Sequence, residues 1–245
     1  MKKATTPTSA VQHIKSGDHV YIHTAGATPN SLVQAMTEHA DELKGVEIYH
    51  MHTEGSAPYT SPNLKDSFHV NSFFLGANCR SATANGYADF IPSFLSEIPI
   101  MFRNGVVPID VALIMVSPPD KHGFCSMGIS VDASKAAVDV AKIVIAQINP
   151  RMPRTHGDGI IHMNRFTDFI ELEEEIHELT PHPLTPEEEQ IGQHIAAMIE
   201  DRSTLQLGIG AIPDAVLSCL GNHKDLGIHT EMLSDGVIPL VEQGV

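Results

Sequence analysis

Positive charge is scarce in this 245-residue sequence: 15 Lys and Arg stand against 30 Asp and Glu, a formal net charge of −15. A surface of that sign repels polyanions, which excludes nucleic acid and anionic membrane as partners. Cysteine is scarce too. Cys79, Cys125 and Cys219 are odd in number and far apart, which argues against a disulfide framework and for a reducing compartment, the cytoplasm. No apolar run approaches the roughly 18 residues that cross a bilayer; the run Val106 to Val116 is short and contains Asp110. Met1 to Ser9 carries two lysines with no apolar stretch behind them, so it does not read as a secretory signal. Metal-ligand spacing is missing as well: His50 and His52 share a strand face, but no third ligand is placed to complete a tetrahedral site, and no metal is expected.

What is there is an ordinary globular composition, 42% hydrophobic with a mean hydropathy of −0.03. The acidity is localised. Residues 1–167 hold 13 basic and 14 acidic side chains, whereas residues 168–201 hold 11 acidic and none basic. The first stretch is therefore nearly neutral, and the total charge does not exclude a small anionic ligand.

Short β-branched runs (Val20 to His23, Val46 to His52, Val70 to Leu75, Val111 to Val116, Ile143 to Ala146) alternate with amphipathic patterns that begin near Pro29-Asn30-Ser31, Tyr87 and Val131. That alternation predicts an α/β fold: an open, mostly parallel sheet with helices on both faces. Near Phe169 the pattern changes. Glu171 to His177 is acidic, and Thr180 to Pro186 holds three prolines, so residues 168–186 read as an exposed connector. Thr185 is placed to cap a new helix with Pro186 at its first position and Glu187 to Glu189 at the positive end of the dipole. The expected domains are thus 1–184 and 185–245.

Two strand-to-helix turns look like copies of one element. Gly26-Ala-Thr-Pro-Asn-Ser-Leu-Val33 matches Gly210-Ala-Ile-Pro-Asp-Ala-Val-Leu217, and each is followed by a strand ending in His-Thr-Glu, at His52-Thr53-Glu54 and His229-Thr230-Glu231. From Pro to Glu the separations are 25 and 18 residues. A duplicated α/β unit, its second copy incomplete, is the expectation. Ligands in open α/β sheets bind beyond the carboxyl ends of the strands. Gly208 to Ile212 lies there, with a helix start at Pro213 offering free N–H groups, and so does the carboxylate of Glu231. A carboxylate beside an N–H cradle suits acyl chemistry, the one attacking a carbonyl and the other receiving the oxyanion. Glu54 is the symmetric counterpart, and the duplication alone does not choose between the two. Gly26, with Glu54 and Ser56 on the loop that follows the first copy's strand, and His156 on a turn beside it, are candidate substrate-pocket residues. Ser117 to Ser130, rich in Gly and Pro, reads as a further pocket loop, and Cys125 as a buried small hydrophobe.

The stretches Ala25 to Pro29, Ser117 to Ser130, Asn149 to Asp158, Leu205 to Asp214 and Gly227 to Gly236 resemble the acetyl-CoA hydrolase/transferase family, and within it most closely the 4-hydroxybutyrate CoA-transferases. The resemblance implies a pair of similar α/β domains and a glutamate that carries coenzyme A as a thioester. By position in the His-Thr-Glu-Met motif that residue is Glu231, with Gly208, Ile209, Gly210, Ala211 and Ile212 as the CoA-contacting loop. It implies ping-pong transfer of CoA between a short-chain acyl-CoA and a carboxylic acid, with 4-hydroxybutyrate the leading acid, coenzyme A as substrate and no permanently bound cofactor. It also implies a later Gly-Gly-Gln segment that helps bind CoA, which this sequence does not contain. Acyl-CoA hydrolysis and non-catalytic ligand binding are the alternatives. Unfinished sheet edges predict a homo-oligomer.

Overall fold

A computed structural model of the chain describes residues 2–4, 6–180 and 183–245. Pro181 and His182, in the expected connector, lie outside the described residues. The chain divides into a first compact unit ending at Glu178 and a second, Leu179–Val245. The division falls ahead of the boundary expected at residue 185, just beyond His177, whose side chain still contacts the first unit.

The first unit carries strands β1 (Lys2–Lys3), β2 (His19–Ile22), β3 (Val46–His50), β4 (Phe68–Ser72), β5 (Ala88–Phe90), β6 (Val111–Val116), β7 (Phe124–Ser126), β8 (Ile143–Ile148), β9 (Ile160–His162) and β10 (Asp168–Glu171). Its helices are α1 (Pro7–Val11), α2 (Asn30–Glu38), α3 (Ala77–Ala84), α4 (Ile98–Arg103) and α5 (Ser134–Val140). Eight strands form one sheet in the order β1-β10-β8-β6-β2-β3-β4-β5, with every neighbouring pair parallel. β7 and β9 form a separate antiparallel pair.

Both faces of the sheet are covered, as a continuous apolar strand such as Val-Ala-Leu-Ile-Met-Val requires. All six residues of β6 are buried. Val111 and Leu113 pack into a core with residues of α1, α2 and α3, whereas Ala112, Ile114 and Val116 point the other way into a core with α4 and α5. At an apolar side chain's roughly 1.5–3 kcal/mol of burial, these two layers dominate the unit's stability.

Two expectations fail here. The helix expected near Tyr87 is edge strand β5, because the helical segment ends earlier, at an Asn85-Gly86 turn in which Gly86 takes φ +77°. The connector expected from residue 168 begins instead as β10, whose Asp168, Phe169 and Ile170 are buried against β8.

In the second unit, α6 (Pro186–Ala196) starts with the Thr185 capping box: the Thr185 Oγ1 accepts from Glu188 N–H at 3.2 Å and the Thr185 N–H donates to the Glu188 carboxylate at 2.8 Å. β11 (Thr204–Leu205), α7 (Ala211–Ser218) and β12 (Gly227–Ile228) form a β-α-β element with parallel strands, and α8 (Ile238–Gln243) follows. The core joins Ala196, Leu217, Leu220, Val237 and Leu240. Gly192 makes the crossing of α6 and α7 possible, since a Cβ there would lie 2.7 Å from the Ala215 carbonyl carbon. Among the described residues no helix is long and apolar enough to cross a membrane.

Candidate functional site

The two Gly-Ala-x-Pro turns occupy equivalent places. In the first unit β2 leads through Gly26 to α2, and β3 returns parallel to β2, with the pairing extended by a bridge between Ala25 and Thr53. In the second unit β11 leads through Gly210 to α7, and β12 returns parallel. The turns differ in how the helix begins. Pro29 is the N-cap of α2, whereas α7 starts at Ala211, ahead of the expected Pro213, because Gly210 takes φ +115°, a conformation open only to glycine.

That early start decides which amides are free. Ala211 and Ile212 precede the helix's own hydrogen bonding, and no side chain caps them. Gly208, Ile209, Gly210 and Ile212 are exposed, and among the described residues, chain neighbours aside, nothing lies within 4 Å of where a Cβ on Gly208 or Gly210 would sit. The loop is therefore an open N–H cradle at the positive end of α7.

Glu231, exposed, follows β12 on a segment latched to this cradle on both sides. On one side the Thr230 Oγ1 donates to the Leu207 carbonyl at 2.6 Å and accepts from the Leu207 N–H at 3.2 Å. On the other, the Ser234 hydroxyl donates to the Asp214 carboxylate in the first turn of α7 and accepts from Gly236 N–H at 3.2 Å. The structure thus brings Glu231 and the Gly208–Ile212 loop onto the same end of the β11/β12 pair. A carboxylate on the same strand end as a loop of open amides is the pairing that acyl transfer uses, a nucleophile with an oxyanion site.

The first unit holds Gly26, Glu54 and Ser56. The Glu54 N–H donates to Thr28 Oγ1 at 3.1 Å, and that hydroxyl donates to the Ala25 carbonyl at 2.7 Å, so the turn fixes the backbone of Glu54. Ser56 is on the wall of a groove of 510 Å³ shared with Asn30, Ser31 and Glu174. Gly26 is closely approached: a Cβ there would lie 2.8 Å from the terminal Cδ1 of Ile129. Ile129 belongs to the Ser117–Ser130 stretch, expected as a loop but built around strand β7; Asp132 holds its end, the carboxylate accepting from the hydroxyls of Thr24, Ser130 and Ser134 and from the Ser134 N–H. His156 is exposed, and none of the described hydrogen bonds joins it to these residues.

Sequence reasoning missed the segment that closes this end. Residues 172–177, expected as a solvated connector, run across the sheet with Leu172, Glu174 and Ile176 turned inward. The Glu174 carboxylate accepts from Gln147 Nε2 at 2.5 Å and from Ser31 Oγ at 3.2 Å, and its backbone is bonded in both directions to Asn149. Arg151 holds Glu173 and Glu175 at 3.0 and 3.1 Å. At the end of the strap, His177 Nε2 lies 3.3 Å from the Glu54 carboxylate. The signal in the sequence was the alternation of inward residues under the run of acids.

Burial shapes the titration of the histidines below. Desolvation lowers His50 to about 4 and also lowers His23, whose Nε2 donates to the Ser130 carbonyl at 2.7 Å while its Nδ1 accepts from Met115 N–H. Burial raises Cys125 to about 11, which suits the packing role expected for it. Among the described residues no group of three or more His, Cys, Asp or Glu is placed to hold a metal ion.

Residues 1–181 match the family model described as the acetyl-CoA hydrolase/transferase N-terminal domain. Over 234 residues the chain is 49% identical to a succinyl-CoA:acetate/propanoyl-CoA:succinate CoA transferase of Fasciola hepatica, covering 94% of this chain and 48% of that protein. It is 45% identical over 244 residues to a 4-hydroxybutyrate coenzyme A transferase of Clostridium kluyveri, covering 100% of this chain and 57% of that one. The crystal structure of a 4-hydroxybutyrate CoA-transferase from Porphyromonas gingivalis matches at 37% identity and a TM-score of 0.86, over 100% of this chain and 57% of that one. The chain spans about half the length of the curated relatives it matches.

Proposed function

Because the chain belongs to the acetyl-CoA hydrolase/transferase family, we propose that it moves coenzyme A between a short-chain acyl-CoA, such as acetyl-CoA or butyryl-CoA, and a carboxylic acid, 4-hydroxybutyrate, with Glu231 as the nucleophile. The observation that supports this reading is the double latch, Thr230 to Leu207 and Ser234 to Asp214, which flanks Glu231 on the segment after β12, at the same end of the strand pair as the Gly208–Ile212 loop. The choice of acid is supported by the similarity to the C. kluyveri transferase.

In this reading a Glu231 oxygen attacks the acyl carbonyl carbon. The resulting oxyanion is received by the loop amides, each such donor contributing about 3 kcal/mol. Collapse breaks the C–S bond and expels CoA thiolate, leaving a mixed anhydride. The thiolate then attacks the glutamyl carbonyl and releases the first acid as its carboxylate. The glutamyl-CoA thioester so formed keeps the energy of the original one. An incoming carboxylate reverses the sequence, and Glu231 returns unchanged with no net proton taken up.

Residues 185–245 are read as the start of a second α/β domain similar to the first. The assembly is read as a homo-oligomer, supported by the open edge of β5 with Phe90 and Phe94 exposed on and beside it. Three free cysteines fit a cytoplasmic setting.

Exchange of label between acetyl-CoA and 4-hydroxybutyrate tests the reading. Glu231→Ala abolishes it and Glu54→Ala weakens it; the reverse order assigns the nucleophile to the other copy. Loss of acyl-CoA with no new acyl-CoA marks hydrolysis, with water in place of the incoming acid.

A further inference from the structure

We infer that His177 is a positioning residue for Glu54, and that the strap of residues 172–177 exists to deliver it. The inference rests on the reading that Glu54 lines the acyl pocket.

The strap is fixed along its length, which a solvated linker is not. Leu172 N–H donates to the Ile148 carbonyl at 3.1 Å, continuing the β10 register beyond the strand. Next, Glu174 is bonded through its backbone to Asn149 and through its side chain to Gln147 and Ser31. Arg151 grips the two outward acids, Glu173 and Glu175. Ile176 enters an apolar cluster with Ala27, Met115 and Met152. The strap passes over Gly26, with the His177 carbonyl 3.6 Å from the position a Gly26 Cβ would take, an ordinary van der Waals distance. A segment anchored at each residue from 172 to 176 presents the next side chain in one place.

That side chain reaches the one part of Glu54 that its own turn leaves free. The Ala25–Thr28 turn holds the Glu54 backbone. Among the described residues, His177 is the only charged or polar side chain within ion-pairing distance of its carboxylate, with Nε2 3.3 Å from one carboxylate oxygen. One carboxylate oxygen is thereby engaged and the other left for a ligand. Glu54 and His177 side chains are 28% and 37% exposed, so the contact is open to solvent on one side. It selects a rotamer without anchoring the fold. A glutamate otherwise gives up side-chain freedom when a ligand orders it, and His177 removes part of that cost beforehand.

The test uses the full chain with acetyl-CoA and 4-hydroxybutyrate as probes. His177→Ala raises the KM for the acid by up to about fivefold, the size expected for losing an exposed pair, while kcat, the labelling of Glu231 by acetyl-CoA and the melting curve stay at wild-type values. His177→Gln, which keeps an N–H donor in reach, recovers most of the loss. In a Glu54→Ala background His177→Ala changes nothing further. An unchanged KM in His177→Ala overturns the inference, and so does an equal loss with Glu54 absent, which would make His177 act by another route. Failure of the function reading looks different, since wild type itself then exchanges nothing. The pair is in that case judged by the His177 ring resonance. Its movement on Glu54→Gln supports the positioning contact, and an unmoved signal overturns it.

Discussion

Thr230→Val replaces the hydroxyl that latches the Glu231 segment to the cradle by a methyl group of the same shape. The Thr230 Oγ1 makes two bonds to Leu207, one as donor at 2.6 Å and one as acceptor at 3.2 Å. Each neutral hydrogen bond contributes about 0.5–1.5 kcal/mol net, so the pair accounts for about 1–3 kcal/mol. Thr204↔Gly227 and Leu205↔Ile228 still pair, so β11 and β12 persist while the loops beyond them lose register. If the latch is what holds Glu231 against the amides, the same free energy is lost from the attacking arrangement, and acylation slows by about fivefold to a hundredfold. The assay is the single-turnover rate of Glu231 labelling by acetyl-CoA, with urea denaturation in parallel to read the stability change. Thr230→Ser, which keeps the hydroxyl, restores both. A Thr230→Val protein that is destabilised as expected yet labels at the wild-type rate would refute the link between latch and nucleophile.

Further outcomes follow from packing and charge. Gly192→Ala destabilises the second unit by up to about 2 kcal/mol in chemical denaturation: the clash with Ala215 outweighs the roughly 1 kcal/mol that alanine adds to a helix. Asp132→Ala strips the acceptor from Thr24 and Ser134, both buried, and costs about 1–3 kcal/mol. Acid lowers stability in two windows. His50 is neutral in the fold, its pKa lowered from 6.5 to about 4, so the unfolded chain binds the extra proton and stability falls as pH drops through that range; His50→Gln flattens the slope there. Burial pushes Asp110 upward, but the Lys142 ammonium and the His19 N–H groups outweigh it and hold the carboxyl at about 2, below its usual 3.8. Its contribution is present above that value and lost between 3.8 and 2, and Asp110→Asn removes that second loss.

The parallel sheet was legible because its central strands are apolar and β-branched along their length and alternate with helical patterns; all six residues of β6 are buried, as a strand covered on both faces requires. Edge strands carried no such signal. β5 is three residues long with Asp89 and Phe90 exposed, and its neighbourhood read as a helix. The start of α7 was misplaced because Pro213 is a good first-turn residue, whereas the backbone of Gly210 sets the true start two residues earlier. The strap was the largest omission. Its acids suggested solvation, but Arg151, Gln147, Ser31 and Asn149, all distant in sequence, supply their partners. Local composition does not reveal such partners.

The central claim is that Glu231 becomes covalently charged. The direct measurement is to mix the folded protein with acetyl-CoA, trap with borohydride or hydroxylamine, and locate the modified residue by peptide mass analysis. The account predicts modification at Glu231, absent when acetyl-CoA is withheld and absent in Glu231→Ala. A folded protein that shows no modified glutamate, or one modified at Glu54 instead, would contradict it.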